Sequence, residues 1–223
     1  MYTTKDLNKA LSPLYIKDNP FNVFKDWVEM MAISIANCFS IFDDNKHKKR
    51  EETFLNITKK YSEESLDIFK KAFGMLINIC SSCLENGFSD WLGQLYMESG
   101  CSNNKTGQFF TPYHVCRVLA KMSVNDELLK KEVITMQDPS VGGGALPIAF
   151  CEELHNKGVN FCEKALINVG DLDYLCVCMA YVQLSLIGVP ARVYHMNSIS
   201  QEVYDYFDTP ALCMNWIKFR SYL

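Results

Sequence analysis

The chain has 223 residues, 48% of them hydrophobic and 22% charged, with a net charge of −4 and an isoelectric point near 5.6. That composition belongs to a folded globular protein, and it excludes a broadly basic nucleic-acid binder, so any DNA contact must come from a local patch or a partner subunit. No run of about 18 apolar residues marks a membrane span, the start Met1-Tyr-Thr-Thr-Lys-Asp6 has no apolar signal core, and the ten cysteines are scattered as reduced thiols would be; a cytoplasmic protein without a membrane partner is expected.

Phe24, Trp27, Val28, Met31 and Ile35 recur at three- and four-residue spacing and predict a helix behind Pro20, stopped by Asp43-Asp44-Asn45. The basic run Lys46-His-Lys-Lys-Arg50 reads as a solvated loop, with a phosphate-backbone contact as the alternative. Ser62 should cap the next helix, with Glu63 and Glu64 in its first turn and Leu66, Phe69, Phe73, Leu76, Ile77 and Cys80 on its buried side. Cys80-Ser-Ser-Cys83 shares that face. No second ligand pair stands at zinc spacing, so buried thiols are expected there and no metal site. A shorter helix covers 89–98, and polar residues Ser99 to Lys105 close a helical lobe over residues 1–104.

From Thr111 the pattern changes. Thr111-Pro112 reads as the cap and first position of a helix with Val115, Val118, Leu119 and Met122 inward. Strand 133–137, helix 145–157, strand 165–170, helix 173–187 and strand 191–195 then alternate, with Gly158 and Gly188 as helix stops. Such alternation predicts an α/β fold, a parallel sheet flanked by helices, over residues 105–223. Ligands of these sheets bind at the carboxyl ends of the strands, where Asp138, Asp171 and Asn197 fall. Between the first strand and its helix lies Asp138-Pro-Ser-Val-Gly-Gly-Gly144, a turn that lets backbone N–H groups approach a small ligand.

With these residues in place, the chain resembles the amino-methylating DNA methyltransferases, in particular the modification subunit of type I restriction–modification systems. Gly107-Gln-Phe-Phe-Thr-Pro112 matches that family's Gly-Gln-Phe-[Phe/Tyr]-Thr-Pro segment, and Asp90-Trp-Leu-Gly-Gln-Leu-Tyr-Met-Glu98 is similar to the helix that precedes it. The glycine turn keeps Asp138, Pro139, Gly142 and Gly144 of the family pattern, while Val141, Gly143 and Ala145 depart from it. The resemblance covers residues 90 to about 199. It implies a partial doubly wound, Rossmann-like domain that binds S-adenosyl-L-methionine. Asp138 and the turn backbone would hold the methionine end, Phe110 and Thr111 would close the pocket, Asp171 would take the ribose hydroxyls, and Asn197 would lie beside the adenine. The extra Gly143 would loosen the turn and weaken affinity. DNA, a specificity subunit and a restriction subunit are the implied partners.

The family's reaction centre, Asn-Pro-Pro-[Phe/Tyr], draws the lone pair of the adenine amine out of the ring and holds the flipped base. That segment does not occur in this sequence, and Asn215-Trp216 is the weak substitute. Each motif also has a purely structural reading: a connecting turn, a helix cap at Asp171, a turn at Asn197. A dinucleotide site competes as well, although Gly-x-Gly-x-x-Gly is absent. Three functions therefore stand: an adenine-N6 DNA methyltransferase whose remaining parts come from a partner chain, a catalytically silent cofactor-binding module that regulates or competes with a full modification subunit, or an interaction protein that kept the fold and lost the ligand.

Overall fold

A computed structural model of the chain describes residues 2–39, 44–99 and 110–223. Six helices come first: α1 (Thr4–Tyr15), α2 (Pro20–Phe39), α3 (Asp44–Thr58), α4 (Glu63–Ser81), α5 (Cys83–Asn86) and α6 (Trp91–Glu98). After residue 110 the order is α7 (Tyr113–Ser123), α8 (Asp126–Leu129), β1 (Ile134–Asp138), α9 (Ala145–Asn156), α10 (Phe161–Lys164), β2 (Ala165–Asp171) and α11 (Tyr174–Leu186). Then come β3 (Ala191–Asn197), β4 (Glu202–Asp208), α12 (Pro210–Met214), α13 (Trp216–Phe219) and a 3-10 turn over Arg220–Tyr222.

The expected α/β sheet is present. Strands β1, β2 and β3 are parallel neighbours, and β4 closes the far edge antiparallel to β3. Two successive βαβ units through α9 and α11 put the ends of β1, β2 and β3 on one rim, with Asp138 opposite Val169 and Asp171 opposite His195. Among the described residues the strand order β1-β2-β3-β4 advances in one direction.

Strand β4 was not foreseen. Its alternation of Val203, Asp205 and Phe207 with Tyr204 and Tyr206 is a strand signature, and a β-bulge at His195/Met196 adjusts its register. Helix α3 corrects the loop expected at Lys46–Arg50. The run is helical, and two of its cations are turned onto β4. Lys46 pairs with Asp205 at 2.9 Å and lies 3.7 Å over the Tyr206 ring, while Arg50 donates to the Tyr206 carbonyl and stacks 4.2 Å from Phe207. Charges spent on the protein's own edge strand are poorly placed to serve a phosphate backbone. Helix α1 opens the expected helical lobe and is nucleated by a capping box in which Thr3 accepts the Asp6 N–H and Asp6 accepts the Thr3 N–H.

Ser62 caps α4 as expected. Phe69, Leu76 and Cys80 are buried, whereas Ile77 faces solvent. Cys80 and Cys83 are both buried thiols, Cys83 pushed up to about 11 chiefly by burial. Among the described residues no cluster of three or more His, Cys, Asp or Glu is arranged to hold a metal ion, and no helix is long and apolar enough to cross a membrane.

One hydrophobic cluster joins both halves of the sequence, from Leu7, Phe24 and Trp27 through Leu76 and Leu92 to Ile134, Val169, Tyr181 and Phe207. Helix α2 packs along α11, so the helical part covers the sheet's own crossover helix. At roughly 25 cal/mol per Å² of apolar surface removed from water, burial of this kind dominates the stability of both parts together. Inside it, the Trp27 Nε1–H donates to the Phe69 carbonyl at 3.1 Å, and buried Asp26 is satisfied by Lys60 and the Tyr61 hydroxyl. The expected boundary at residues 104 and 105 lies outside the described residues, as does most of the expected linker.

Candidate functional site

At the carboxyl rim of β1 and β2 lies a cavity of about 490 Å³. Its walls come from Phe110 and Thr111, from Cys116 and Leu119 on α7, from the turn Ser140–Gly143, from Ala145 and Leu146 opening α9, and from Asp138, Asp171 and Cys176. Five expected site residues thus meet here: Phe110, Thr111, Asp138, Gly142 and Asp171.

The local backbone explains the glycines. Gly142 has φ +55° and Gly144 φ +105°, conformations that L side chains rarely adopt. A Cβ at Gly142 would come within 3.1 Å of the Phe110 ring, and one at Gly144 within 3.3 Å of the Ala180 Cα. Gly144 therefore packs α9 against α11 and does not line the cavity, and neither does Pro139. Gly143 is also packed. Its Cβ would lie 3.2 Å from both the Asp90 carboxylate and the Met179 methyl, and its carbonyl accepts from Gln183 Nε2 at 2.7 Å. The expectation of a loosened turn is thereby corrected.

Two bonds stitch the turn to the end of β2: Val141 N–H to the Gly170 carbonyl at 2.9 Å, and Gly142 N–H to Asp171 Oδ2 at 2.9 Å. Asp171 Oδ1 accepts the Asp173 N–H at 2.9 Å, so this carboxylate is already half engaged by backbone. Its orientation is fixed, and each oxygen keeps a lone pair for a hydroxyl ligand. Asp138 Oδ1 accepts the Ser140 N–H at 3.0 Å. Burial raises its carboxyl above the ordinary range, opposed by the Ser140 N–H and reinforced by nearby Asp171.

The apolar wall opposite is Phe110, whose ring centroid lies 5.4 Å from that of Tyr96 on α6. Residues 107–109 of the Gly107–Pro112 motif lie outside the described residues. Helix α7 departs from expectation in two ways. Pro112, not Thr111, is its N-cap, without a side-chain cap bond. Its buried face is Cys116 and Ala120, while Val115, Val118, Leu119 and Met122 are between 39% and 76% exposed. Small side chains let α7 lie close on α9, and Tyr113 and Arg117 clasp Glu152 at 3.0 and 3.1 Å, which fixes the rotation. Cys116, at the cavity wall, has its thiol pushed up to about 11 by burial first and by Asp90 and Asp138 next.

Two expected residues lie elsewhere. Asn197 ends β3 with its Oδ1 accepting the Ile199 and Ser200 N–H groups at 3.0 and 3.2 Å, which makes it a turn former outside the cavity lining. Asn215 sits between α12 and α13, beyond the opposite end of β3, with its Nδ2 bonded to the Ala211 carbonyl at 2.9 Å. It does not line the cavity. Two residues to which the sequence reading gave no role at the site stand behind the turn: Asp90, the N-cap of α6, and Gln183. A buried glutamine inside the apolar run Tyr174–Leu186 was the available signal.

Chemically, the cavity offers two carboxylates on one side, an aromatic lid on the other, and between them the N–H groups of Ala145 and Leu146 at the start of a 12-residue helix. No described residue lining it is cationic. That donor set suits a compact ligand carrying a cationic group, a carboxylate and hydroxyls.

No protein-family model matches the sequence, and no curated protein does. Among solved structures, a similar chain is a Listeria monocytogenes protein provisionally described as a class I S-adenosylmethionine-dependent methyltransferase, at 16% identity and a TM-score of 0.40, over 85% of this chain and 52% of that one. The chain spans about half the length of that protein.

Proposed function

We propose that this cavity holds S-adenosyl-L-methionine and that the chain serves as the cofactor-binding part of an adenine-N6 DNA methyltransferase linked to restriction–modification. The observation that carries the reading is the pairing of Asp138 and Asp171 across the glycine turn, beneath Phe110. Asp138 takes the ammonium, the N–H groups opening α9 take the carboxylate, and Asp171 takes the ribose hydroxyls. Phe110 covers the sulfonium region. Because Asp171 is braced by Gly142 and Asp173, its ribose contact and the shape of the turn are one device.

DNA and a specificity or restriction subunit are the proposed partners. The tested reaction is transfer of a labelled methyl group from S-adenosylmethionine to unmethylated DNA, by the chain alone and with a specificity subunit and a restriction subunit added. Transfer to adenine N6 with partners present supports the reading. Cofactor binding without transfer under any pairing favours the second reading, a regulatory module, which the position of Asn215 away from the cavity supports.

A further inference from the structure

A buried polar strut stands behind the glycine turn and lines no part of the cavity. Gln183, fully buried on α11, uses both ends of its carboxamide. Nε2 donates to Asp90 Oδ1 at 2.8 Å and to the Gly143 carbonyl at 2.7 Å, and Oε1 accepts the Leu92 N–H at 3.0 Å. Asp90 Oδ1 also accepts the Gly93 N–H at 2.9 Å. The amide cannot flip, since that would turn its oxygen toward two acceptors. The neighbouring glycines follow from the same packing: a Cβ at Gly93 would collide with the Asp90 carboxylate, and one at Gly143 would press on it at 3.2 Å.

These bonds hold one peptide at both ends. The Gly143 carbonyl is fixed by Gln183, and the N–H of the same peptide, on Gly144, donates to the Val141 carbonyl at 3.1 Å. That peptide closes the turn whose other side carries the cavity. The same carboxamide grips the first turn of α6 through Leu92, more than ninety residues away in sequence. Gly143 lines the cavity, and the Asp90 carboxylate lies 3.2 Å from where its Cβ would stand, which places that carboxylate just behind the wall.

We propose that Asp90 and Gln183 are positioning residues of the cavity: they lock the Gly143–Gly144 peptide and tie it to the start of α6, so that filling the cavity also steadies Leu92 and Gly93. Its ligand-dependent part rests on the S-adenosylmethionine reading; its ligand-free part does not. Breaking the strut leaves buried donors and acceptors unpaired, a loss that corresponds to roughly 10- to 100-fold in a local opening equilibrium.

Hydrogen exchange read by mass spectrometry tests both parts on the full chain. In the free protein, Asp90→Ala and Gln183→Leu raise exchange over peptides 141–146 by about 10- to 100-fold and leave β3 peptides unchanged. Asp90→Asn, which keeps the accepting oxygen, restores wild-type protection. With S-adenosylmethionine, wild-type exchange slows over peptides containing Leu92 and Gly93, and this response disappears in Asp90→Ala. Should that variant fail to fold, Gln183→Asn, one methylene shorter, makes the same comparison. The proposal is overturned by wild-type protection of the turn in Asp90→Ala, by an equal rise over the turn and β3, or by ligand binding that leaves Leu92 and Gly93 unchanged. A wild-type protein that does not bind S-adenosylmethionine contradicts the cofactor reading, and the free-protein comparison then decides the strut.

Discussion

The same substitution, glycine to alanine, should have opposite signs at two sites of this chain. At Gly144 the backbone φ of +105° is strained for any L side chain, which costs about 1–2 kcal/mol. The new methyl also meets the Ala180 Cα at 3.3 Å, backbone that cannot rotate away, and overpacking of that kind costs about 1–3 kcal/mol. Gly144→Ala should therefore lose about 2–5 kcal/mol, a large part of the roughly 5–15 kcal/mol typical of a folded domain. At Gly74, inside α4, φ is ordinary and nothing lies within 4 Å of the added Cβ. There alanine should stabilise by about 0.5–1 kcal/mol, because it lowers the entropy of the unfolded chain and favours the helix. Urea unfolding followed by circular dichroism measures both against wild type. A Gly144→Ala midpoint equal to wild type, or a Gly74→Ala loss matching it, would refute the claim that Gly144 is fixed by its backbone and by α11.

Other outcomes follow from the site. Asp171→Ala removes the acceptor of two backbone N–H groups, at Gly142 and Asp173. It should cost about 1–3 kcal/mol in stability and weaken S-adenosylmethionine binding; unchanged affinity would remove Asp171 from the ribose role. The pH dependence has a definite sign. The Asp138 carboxyl lies above its unfolded value, so its protonated form favours the empty fold at low pH and that contribution is lost as pH rises through the raised value. A cationic ligand needs the ionised form, so affinity should fall as pH drops through the raised value, with proton release on binding in that window. Calorimetry in buffers of different ionisation heat reads this, and Asp138→Asn should abolish it. Among the described thiols, exposed Cys38 should label rapidly with iodoacetamide at neutral pH, whereas Cys80, Cys83, Cys116, Cys151, Cys176 and Cys178 should label only on unfolding. Mass spectrometry of the labelled peptides separates them.

Much of the sheet was legible because its signals are local. The strand–turn–helix at Asp138–Gly144, the stops at Gly158 and Gly188 and the cap at Ser62 follow from backbone sterics and short-range hydrogen bonds, and all appear where expected. What was not legible depends on distant partners. Lys46–Arg50 became helix α3 because Asp205 and the Tyr206 carbonyl receive its cations. The α7 stripe turned outward because Cys116 and Ala120 allow a closer approach to α9 than the larger residues do. At the site, Phe110, Thr111, Asp138, Gly142 and Asp171 line one cavity, as the strand-end and turn positions suggested, whereas Gly144 packs against Ala180 instead. Asn197 follows its structural alternative, a turn that satisfies its own carboxamide, and Asp90–Gln183 joins segments with no proximity in sequence.

Isothermal titration of the folded chain with S-adenosylmethionine bears most directly on the central claim. One-to-one binding is expected, weakened about 10- to 100-fold by Asp138→Asn, the worth of a charge-assisted contact to the ammonium. Absence of binding at millimolar cofactor to a protein that circular dichroism reports as folded, or equal affinity in Asp138→Asn, would contradict the account.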